Sequence, residues 1–269
     1  MSMNVSSISI YPVKSVRAVP LTQAEVRHRG LAGDRRWVVA DQNGQFLSQR
    51  SHPKLALVSA AVEADGSIGL DAPGMPHLHV TVPVGKERLT VTVWDDTFEA
   101  ASGGSQAARW FAHYLGFPSQ LVYMDQLSHR PVAAAYGQPG DVVSFADAVP
   151  LLLATDASLV DLNRRLAQPL PMSRFRPNVT IAGSEPWEED RWKLVRIGKV
   201  DFEVTHRCAR CVMTTIDQDT CEKSGDGEPL KTLATFRRDE NGVYFGQNLV
   251  PRNTGTIAIG DPFEIVQFE

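Results

Sequence analysis

Three side chains that could hold a metal or carry redox chemistry fall within six residues. They are His206, Cys208 and Cys211, in "HRCARCVMTTIDQDTC" (206–221), which with Cys221 contains all three cysteines of the 269-residue chain. Histidine followed by Cys-x-x-Cys is half of a structural zinc site, and the second half is missing: Cys221 lies ten residues on without a paired partner. A thioredoxin-like dithiol would open a helix inside a βαβ unit. Here the pair follows strand-like "VDFEVTH" (200–206) and leads into β-prone "VMTTI" (212–216). Ordinary buried thiols are a third reading. The fourth is a single reactive thiolate. Arg207 and Arg210 flank the pair, nearby positive charge favours thiolate, and thiolate is a soft ligand suited to a redox-active metal.

A second kind of chemistry is concentrated near the N-terminus. Residues 1–54 carry eight basic side chains (Lys14, Arg17, Arg27, Arg29, Arg35, Arg36, Arg50, Lys54) against Glu25, Asp34 and Asp41, a net +5. The whole chain is −4, so the remainder is −9. Such a cluster is either a solvated basic face or an anion site, and the guanidinium fork suits phosphate because it binds it bidentately. Lys14-Ser15 in "YPVKSV" (11–16) could grip a phosphate just after a first strand, and Arg35-Arg36 open another strand in "GDRRWVV" (33–39). Arg174, Arg176 and Asn178 precede a buried-looking strand in "MSRFRPNVTIAG" (172–183), reaching into a cleft or lying on an exposed edge. A nucleic-acid polymer is not expected of a net acidic chain whose basic residues have no interleaved aromatics.

The elements that must position these residues are mostly strands. Hairpins are expected over 36–48 around Asn43-Gly44, over 87–100 around Asp95-Asp96, over 194–204 around Gly198-Lys199 and over 255–268 around Gly260-Asp261-Pro262. Helices are expected over 103–116, with Ser105 as cap and Gly116 as stop, and over 155–166, capped by Thr155 or Asp156. Segment 225–239 reads as a loop then a short helix, and Pro/Gly-rich 69–87 as an exposed loop. The chain is therefore mainly β with a few helices (α+β), with a boundary near residue 120. The composition, 43% hydrophobic and 22% charged, is that of a soluble globular protein. No apolar run reaches membrane-spanning length, and the first ten residues lack a secretory signal. These features point to a cytoplasmic protein, without a membrane partner, whose cysteines stay reduced.

The ordered combination of "ISIYPVKSVRAVPL", "GLAGDRRWVVAD", "LLLATDASLVDLNRRL…FRPNVTIAG", "RCARCVMTTID" and "GQNLVPRNTGTIAIGDPFEI" resembles the MOSC family of molybdenum-cofactor proteins, over nearly the whole chain. Within it, the chain is similar to the amidoxime-reducing components and their bacterial YcbX-like homologues. The resemblance implies an N-terminal MOSC β-barrel domain at 1–120 and a MOSC β-barrel domain at 121–269. It implies a molybdenum cofactor (Mo-molybdopterin) bound between them. Cys211 would be the molybdenum ligand and catalytic residue, with Cys208 a neighbour. Lys14, Ser15 and Arg35, with Arg36, would grip the cofactor's phosphate end, and Asp147, Arg176 and Asn178 would line its pocket. The implied activity is two-electron N–O reduction of hydroxylamines, amidoximes and N-hydroxylated base analogues. Close relatives often carry a fused ferredoxin domain or an N-terminal targeting segment, for which this chain shows no counterpart. Electrons are therefore expected from a separate flavoprotein, ferredoxin or cytochrome b5-type donor. Pyridoxal phosphate binding and a detoxifying role are further family-level expectations. The alternative is a cofactor carrier or sulfur-handling protein without reductase turnover. Asp217 in "TTID" is a candidate proton donor, with a capping role as its competitor. Cys221 replaces a glycine common in relatives.

Overall fold

Alternating apolar and polar residues make Asn4–Ile10 a strand that buries Val5, Ile8 and Ile10. In the computed structural model, which describes residues 2–85 and 87–269, this strand does not stay with its sequence neighbours. It joins a nine-stranded sheet built mainly from the second half of the chain. The order is Phe263–Phe268, Trp192–Ile197, Val200–Ala209, Gly242–Pro251, Leu151–Thr155, Val179–Ala182, Asn4–Ile10 and Val19–Leu21, with Arg238–Asp239 paired to Gly242–Pro251. Among the described strands of this sheet, only Leu151–Thr155 and Val179–Ala182 run parallel, which requires a crossover, and the helix Asp156–Asn163 lies on it. The sheet curls until its ends meet: Val5 N–H donates to Asp261 O and Phe263 N–H to Met3 O, both at 3.0 Å. Ile8, Trp192, Phe202 and Leu249 lie in the core this creates.

A second apolar core belongs to residues 13–121. It joins Val13, Trp37, Leu55, Ile68 and Leu70 to Ala107, Trp110 and Phe111 of the helix Gly104–Leu115. Three smaller sheets surround it or bridge to the first. One of them pairs Gly255–Ala258 with Gln23–Arg27, so the last third of the chain returns to the first. The architecture is the mainly β chain with a few helices that the sequence leads one to expect, three helices among the described residues.

Several local expectations change. Segment 255–268 is no hairpin: Gly255–Ala258 pairs with Gln23–Arg27 while Phe263–Phe268 pairs with Trp192–Ile197. Asp261 Oδ2 accepts the Ala258 N–H at 2.8 Å in a turn that sends the chain to another sheet instead of back. In 69–87, of which Lys86 lies outside the described residues along with Met1, strands Ile68–Asp71 and Leu78–Val80 pair and bury Leu70, Leu78 and Val80. Apolar alternation there outweighs the Pro/Gly content. "VMTTI" is not a strand. Val212–Thr215 is a 3₁₀ turn, with the Thr214 and Thr215 hydroxyls donating to Cys211 O and Val212 O at 3.0 and 2.8 Å. The helix Gly104–Leu115 starts before Ser105, with Ser102 Oγ accepting the Gly104 N–H, and it stops at Gly116 (φ +86°). Thr155 does cap its helix, its hydroxyl accepting the Ser158 N–H at 3.2 Å.

Candidate functional site

Strand ends from both parts of the chain open onto one cleft. Lys14 and Ser15 follow the strand Asn4–Ile10, and Arg35 precedes Trp37–Asp41. Asp147 precedes Leu151–Thr155, Arg176 and Asn178 precede Val179–Ala182, and Cys208 and Cys211 lie at the end of Val200–Ala209. All eight line the cleft.

The cationic wall is held in place by the fold. The Tyr11 ring is sandwiched between the guanidiniums of Arg35 and Arg176, at 4.2 and 4.1 Å. Arg35 Nη1 donates to the buried Asp34 at 2.6 Å and to Asn178 Oδ1 at 2.8 Å. Asn178 Oδ1 also accepts the Leu152 N–H, and Asn178 Nδ2 donates to Ser9 O, so this side chain orients Arg35 and ties three segments together. Burial lowers the Arg176 guanidinium to about 10, still charged at neutral pH. Ser15, Arg35 and Arg176 all have left-handed backbone, at φ +69°, +45° and +57°. Such strain is rare for non-glycine residues and concentrates at working sites.

Lys14 is buried, and its ammonium donates to Phe145 O at 2.7 Å and Asp147 Oδ1 at 2.5 Å. Burial lowers it to about 8, with Asp147 partly opposing the shift. Asp147 lines the cleft with 57% of its side chain exposed. The surrounding protein raises its carboxyl, but Lys14, Arg50 and the Trp94 indole more than offset this and hold it well below the usual carboxylate range.

The thiol wall is looser. Cys211, half-buried, caps the 3₁₀ turn Val212–Thr215 with its backbone carbonyl. Cys208 is the thiol that meets an arginine: Arg210 Nη1 donates to its Sγ at 2.9 Å, while Arg210 Nη2 donates to Phe175 O. Arg207 points elsewhere, onto Asp239 at 2.6 Å. The flanking arginines therefore do not both act on the pair, and neither forms a hydrogen bond to Cys211. Among the described residues no three His, Cys, Asp or Glu side chains converge to hold a metal, which argues against a zinc hook. His206 is stacked on Tyr136 at 4.0 Å, has Thr205 Oγ1 and Asn248 Nδ2 at its two ring nitrogens, and is lowered to about 4 by burial.

Two expectations need correction. Arg36 lies outside the cleft; its Nε and Nη2 donate to Met124 O, and its guanidinium covers Tyr123 on another face. The two arginines lie in the turn before the strand Trp37–Asp41, where the left-handed backbone of Arg35 (φ +45°) turns its side chain away from that of Arg36. Asp217 is no proton donor in the cleft. Its carboxylate accepts the Asp219 and Thr220 N–H groups and Arg174 Nη2, and those partners lower its pKa.

Three residues that sequence reasoning passed over matter as well. Arg50 lines the cleft and was visible only as one charge in the basic excess. Trp94, hidden in a turn, donates to Asp147 Oδ1. Arg130, 3% exposed, clamps the carbonyls of Ser144, Ala146 and Asp147 while its Nε donates to Asp96. Among the described residues, Lys14, Arg35, Arg50, Arg176 and Arg210 thus line the cleft with a single carboxylate, and the Arg210 Nε is buried with no hydrogen-bond partner. A site with this charge suits an anion of several negative charges.

The chain matches known families along most of its length. The MOSC N-terminal beta barrel domain covers residues 2–118 and the MOSC domain residues 140–264. Mitochondrial amidoxime-reducing component 1 of Xenopus laevis is 33% identical over 96% of this chain and 80% of its own length. The Homo sapiens component 1 is 34% identical over 96% and 81%, and the Homo sapiens component 2 is 32% identical over 96% and 82%. The chain belongs to the MOSC-domain family that contains the amidoxime-reducing components.

Proposed function

We propose that this chain is a molybdenum-cofactor-dependent reductase of N-hydroxylated compounds, served by a separate electron-donor protein. The observation that carries the reading is the cleft itself, where a cationic wall from both parts of the chain faces a free cysteine. The residues fit the group. Lys14, Ser15, Arg35 and Arg176 would hold the anionic phosphate end. Cys211 would hold the metal, with its remaining donors from the cofactor; among the described residues no three His, Cys, Asp or Glu side chains converge to hold a metal by themselves. Asn178 and Asp147 act on the wall by positioning, the first through Arg35 and the second through Lys14. Arg36 is not part of the grip.

Bound there, the cofactor supplies the two-electron chemistry of R–NHOH + 2e⁻ + 2H⁺ → R–NH₂ + H₂O. The relatives' names, amidoxime-reducing components, support this substrate class. Removing such N-hydroxyl groups is a detoxifying reaction. The donor would be a flavoprotein, ferredoxin or cytochrome b5-type protein. Pyridoxal phosphate is a poorer fit, because the cleft's single lysine is held as an ion pair with Asp147. No helix among the described residues is long and apolar enough to cross a membrane. A cytoplasmic site of action rests on the three free cysteines; the relatives' own names place those proteins in mitochondria.

The test is expression in a host that makes the cofactor, followed by metal and pterin analysis and an N-hydroxylated substrate assay with an added donor. We expect about one molybdenum per chain. Cys211→Ala should lower turnover at least about a hundredfold, since loss of even the outer partners of a metal site costs 10–100-fold. Cys208→Ala should keep the metal. Stoichiometric zinc would sink the proposal, and bound cofactor without turnover would favour the carrier alternative.

A further inference from the structure

We propose that Gln49 and Gln218 are a positioning pair for the anion grip. Their joined side-chain amides hold Ser15 and Arg176 in place for an anion and tie both to the segment that begins at Cys211. The inference rests on the anion-site part of the reductase reading and deepens it.

The two residues lie 169 positions apart, one in each matched domain, and both are buried, Gln49 at 0% and Gln218 at 8% exposure. Gln49 Nε2 donates to Gln218 Oε1, and Gln218 Nε2 donates back to Gln49 Oε1, both at 3.0 Å. Each amide has one further N–H. That of Gln49 goes to Ser15 O at 2.8 Å, and that of Gln218 to Ile216 O at 3.0 Å. Gln218 Oε1 accepts a second bond, from Arg176 Nη1 at 3.2 Å. The outer partners fix both amides: the Ser15 and Ile216 carbonyls only accept and the guanidinium only donates, so turning either amide over would set like against like. A buried network with its donors all used holds one arrangement.

What the pair holds is what the grip needs. Ser15 has left-handed backbone, φ +69°, which persists only where the surroundings enforce it, and Gln49 fastens its carbonyl. Arg176 is 7% exposed, and the Tyr11 ring covers its guanidinium. Among the described residues that guanidinium hydrogen-bonds to Gln218 alone, which sets its rotation and leaves its other N–H groups for an anion. On the far side, Gln218 closes the segment that Cys211 opens. The Thr214 N–H donates to Cys211 O and the Ile216 N–H to Met213 O, both at 3.1 Å, and Ile216 O accepts from Gln218. Arg17 Nη2 adds a second tie from the first part of the chain, donating to Gln218 O at 2.9 Å.

The test titrates pyrophosphate by calorimetry into the full cofactor-free chain and into Gln49→Met, Gln218→Met and the double variant, with each urea midpoint measured alongside. Methionine fills similar space and makes none of these bonds. Each single variant should bind pyrophosphate about tenfold more weakly than the parent, the scale of one hydrogen bond to a charged group. The double variant should also be weakened about tenfold and not about a hundredfold, because the second substitution removes a bridge the first has already broken. A pair that only stabilises the fold would lower the urea midpoint and leave the affinity of the folded protein at the parent value. That outcome overturns the proposal, as does a double variant weakened by the product of the single effects. If Gln218→Met does not fold, Gln49→Met decides alone, since it releases Ser15 and leaves Arg176 with Gln218: weakened binding supports the pair and parent affinity overturns it. A parent that binds no pyrophosphate overturns the anion site and the pair together. The reductase reading falls separately, on a parent without molybdenum or turnover.

Discussion

On one wall of the cleft, Lys14 and Arg176 are buried and hydrogen-bonded, and Arg35 and Arg176 have backbone in the left-handed region. On the other, Cys211 is half-buried, its thiol has no hydrogen-bond partner among the described residues, and a four-residue 3₁₀ turn follows it. The first wall gathers like charges before any ligand arrives. Buried Asp34, the Tyr11 ring and Asn178 offset their repulsion, so the unfavourable work is done during folding and not during binding. The second wall leaves its reactive atom free. A part that only holds charge gains from rigidity, whereas a part that must bond to something else gains from an uncommitted donor.

The contrast breaks most visibly at Arg35. Arg35→Ala leaves Asp34, whose side chain is 0% exposed, without its ion-pair partner. Removing one member of a buried pair costs about 3–5 kcal/mol, so the urea midpoint should fall sharply and bound molybdenum with it. Arg35→Lys restores a charge but not the fork that reaches both Asp34 and Asn178, so it should recover only part of either quantity. If Arg35→Ala unfolds within about 1 kcal/mol of the parent, the pre-organised wall is not what holds this corner together.

Lys14 sharpens the comparison through pH. Its ammonium, lowered by burial from 10.5 to about 8, loses its proton inside the folded chain well before it would in the unfolded one. Between those two values the unfolded chain binds more protons, so this group alone makes stability rise with pH across the window, while below about 8 its buried charge opposes folding. Anion binding runs the other way, because the wall loses a positive charge as pH rises through about 8. In cofactor-free protein, calorimetry should therefore show pyrophosphate affinity falling about tenfold from pH 7 to pH 9, the worth of one charge-assisted contact. Lys14→Met should bind weakly throughout and lose this step. A parent profile that stays flat across the window would remove Lys14 from the anion site.

Much of the site was legible because its residues are chemically distinctive. A buried Lys-Ser pair, an Arg before a strand and a cysteine among arginines are unusual enough to notice one by one. Their assembly was visible only through the ordered resemblance, since spacing alone left zinc, dithiol and lone thiolate open. The fold class followed from strand periodicity, which needs only local pattern. Pairing partners did not follow, because 255–268 has the pattern of a hairpin and two distant strands, Gln23–Arg27 and Trp192–Ile197, compete successfully for its halves. Arg130 shows the same limit at the site: its role depends on carbonyls 14 to 17 residues away being turned toward it. Trp94 was hidden because a turn tip reads as solvent until something is folded against it.

Arg35 and Arg36 show the boundary at its finest, as adjacent residues of the same type with opposite duties. Arg36 Nε donates to Met124 O at 3.0 Å, and its guanidinium sits 5.2 Å from the Tyr123 ring, outside the cleft lining. Arg36→Gln removes that charged donor from a partly buried carbonyl and should lower stability by about 1 kcal/mol, read as a small shift of the urea midpoint. Molybdenum content and pyrophosphate affinity should match the parent, because no atom of Arg36 reaches the cleft lining. A loss of cofactor in this variant comparable to that in Arg35→Ala would mean that the Met124 segment transmits its position to the cationic wall. The Met124 segment and the cationic wall would then be one mechanical unit. An unchanged cofactor content would establish that the paired arginines of "GDRRWVV" divide cleanly into one that binds and one that braces.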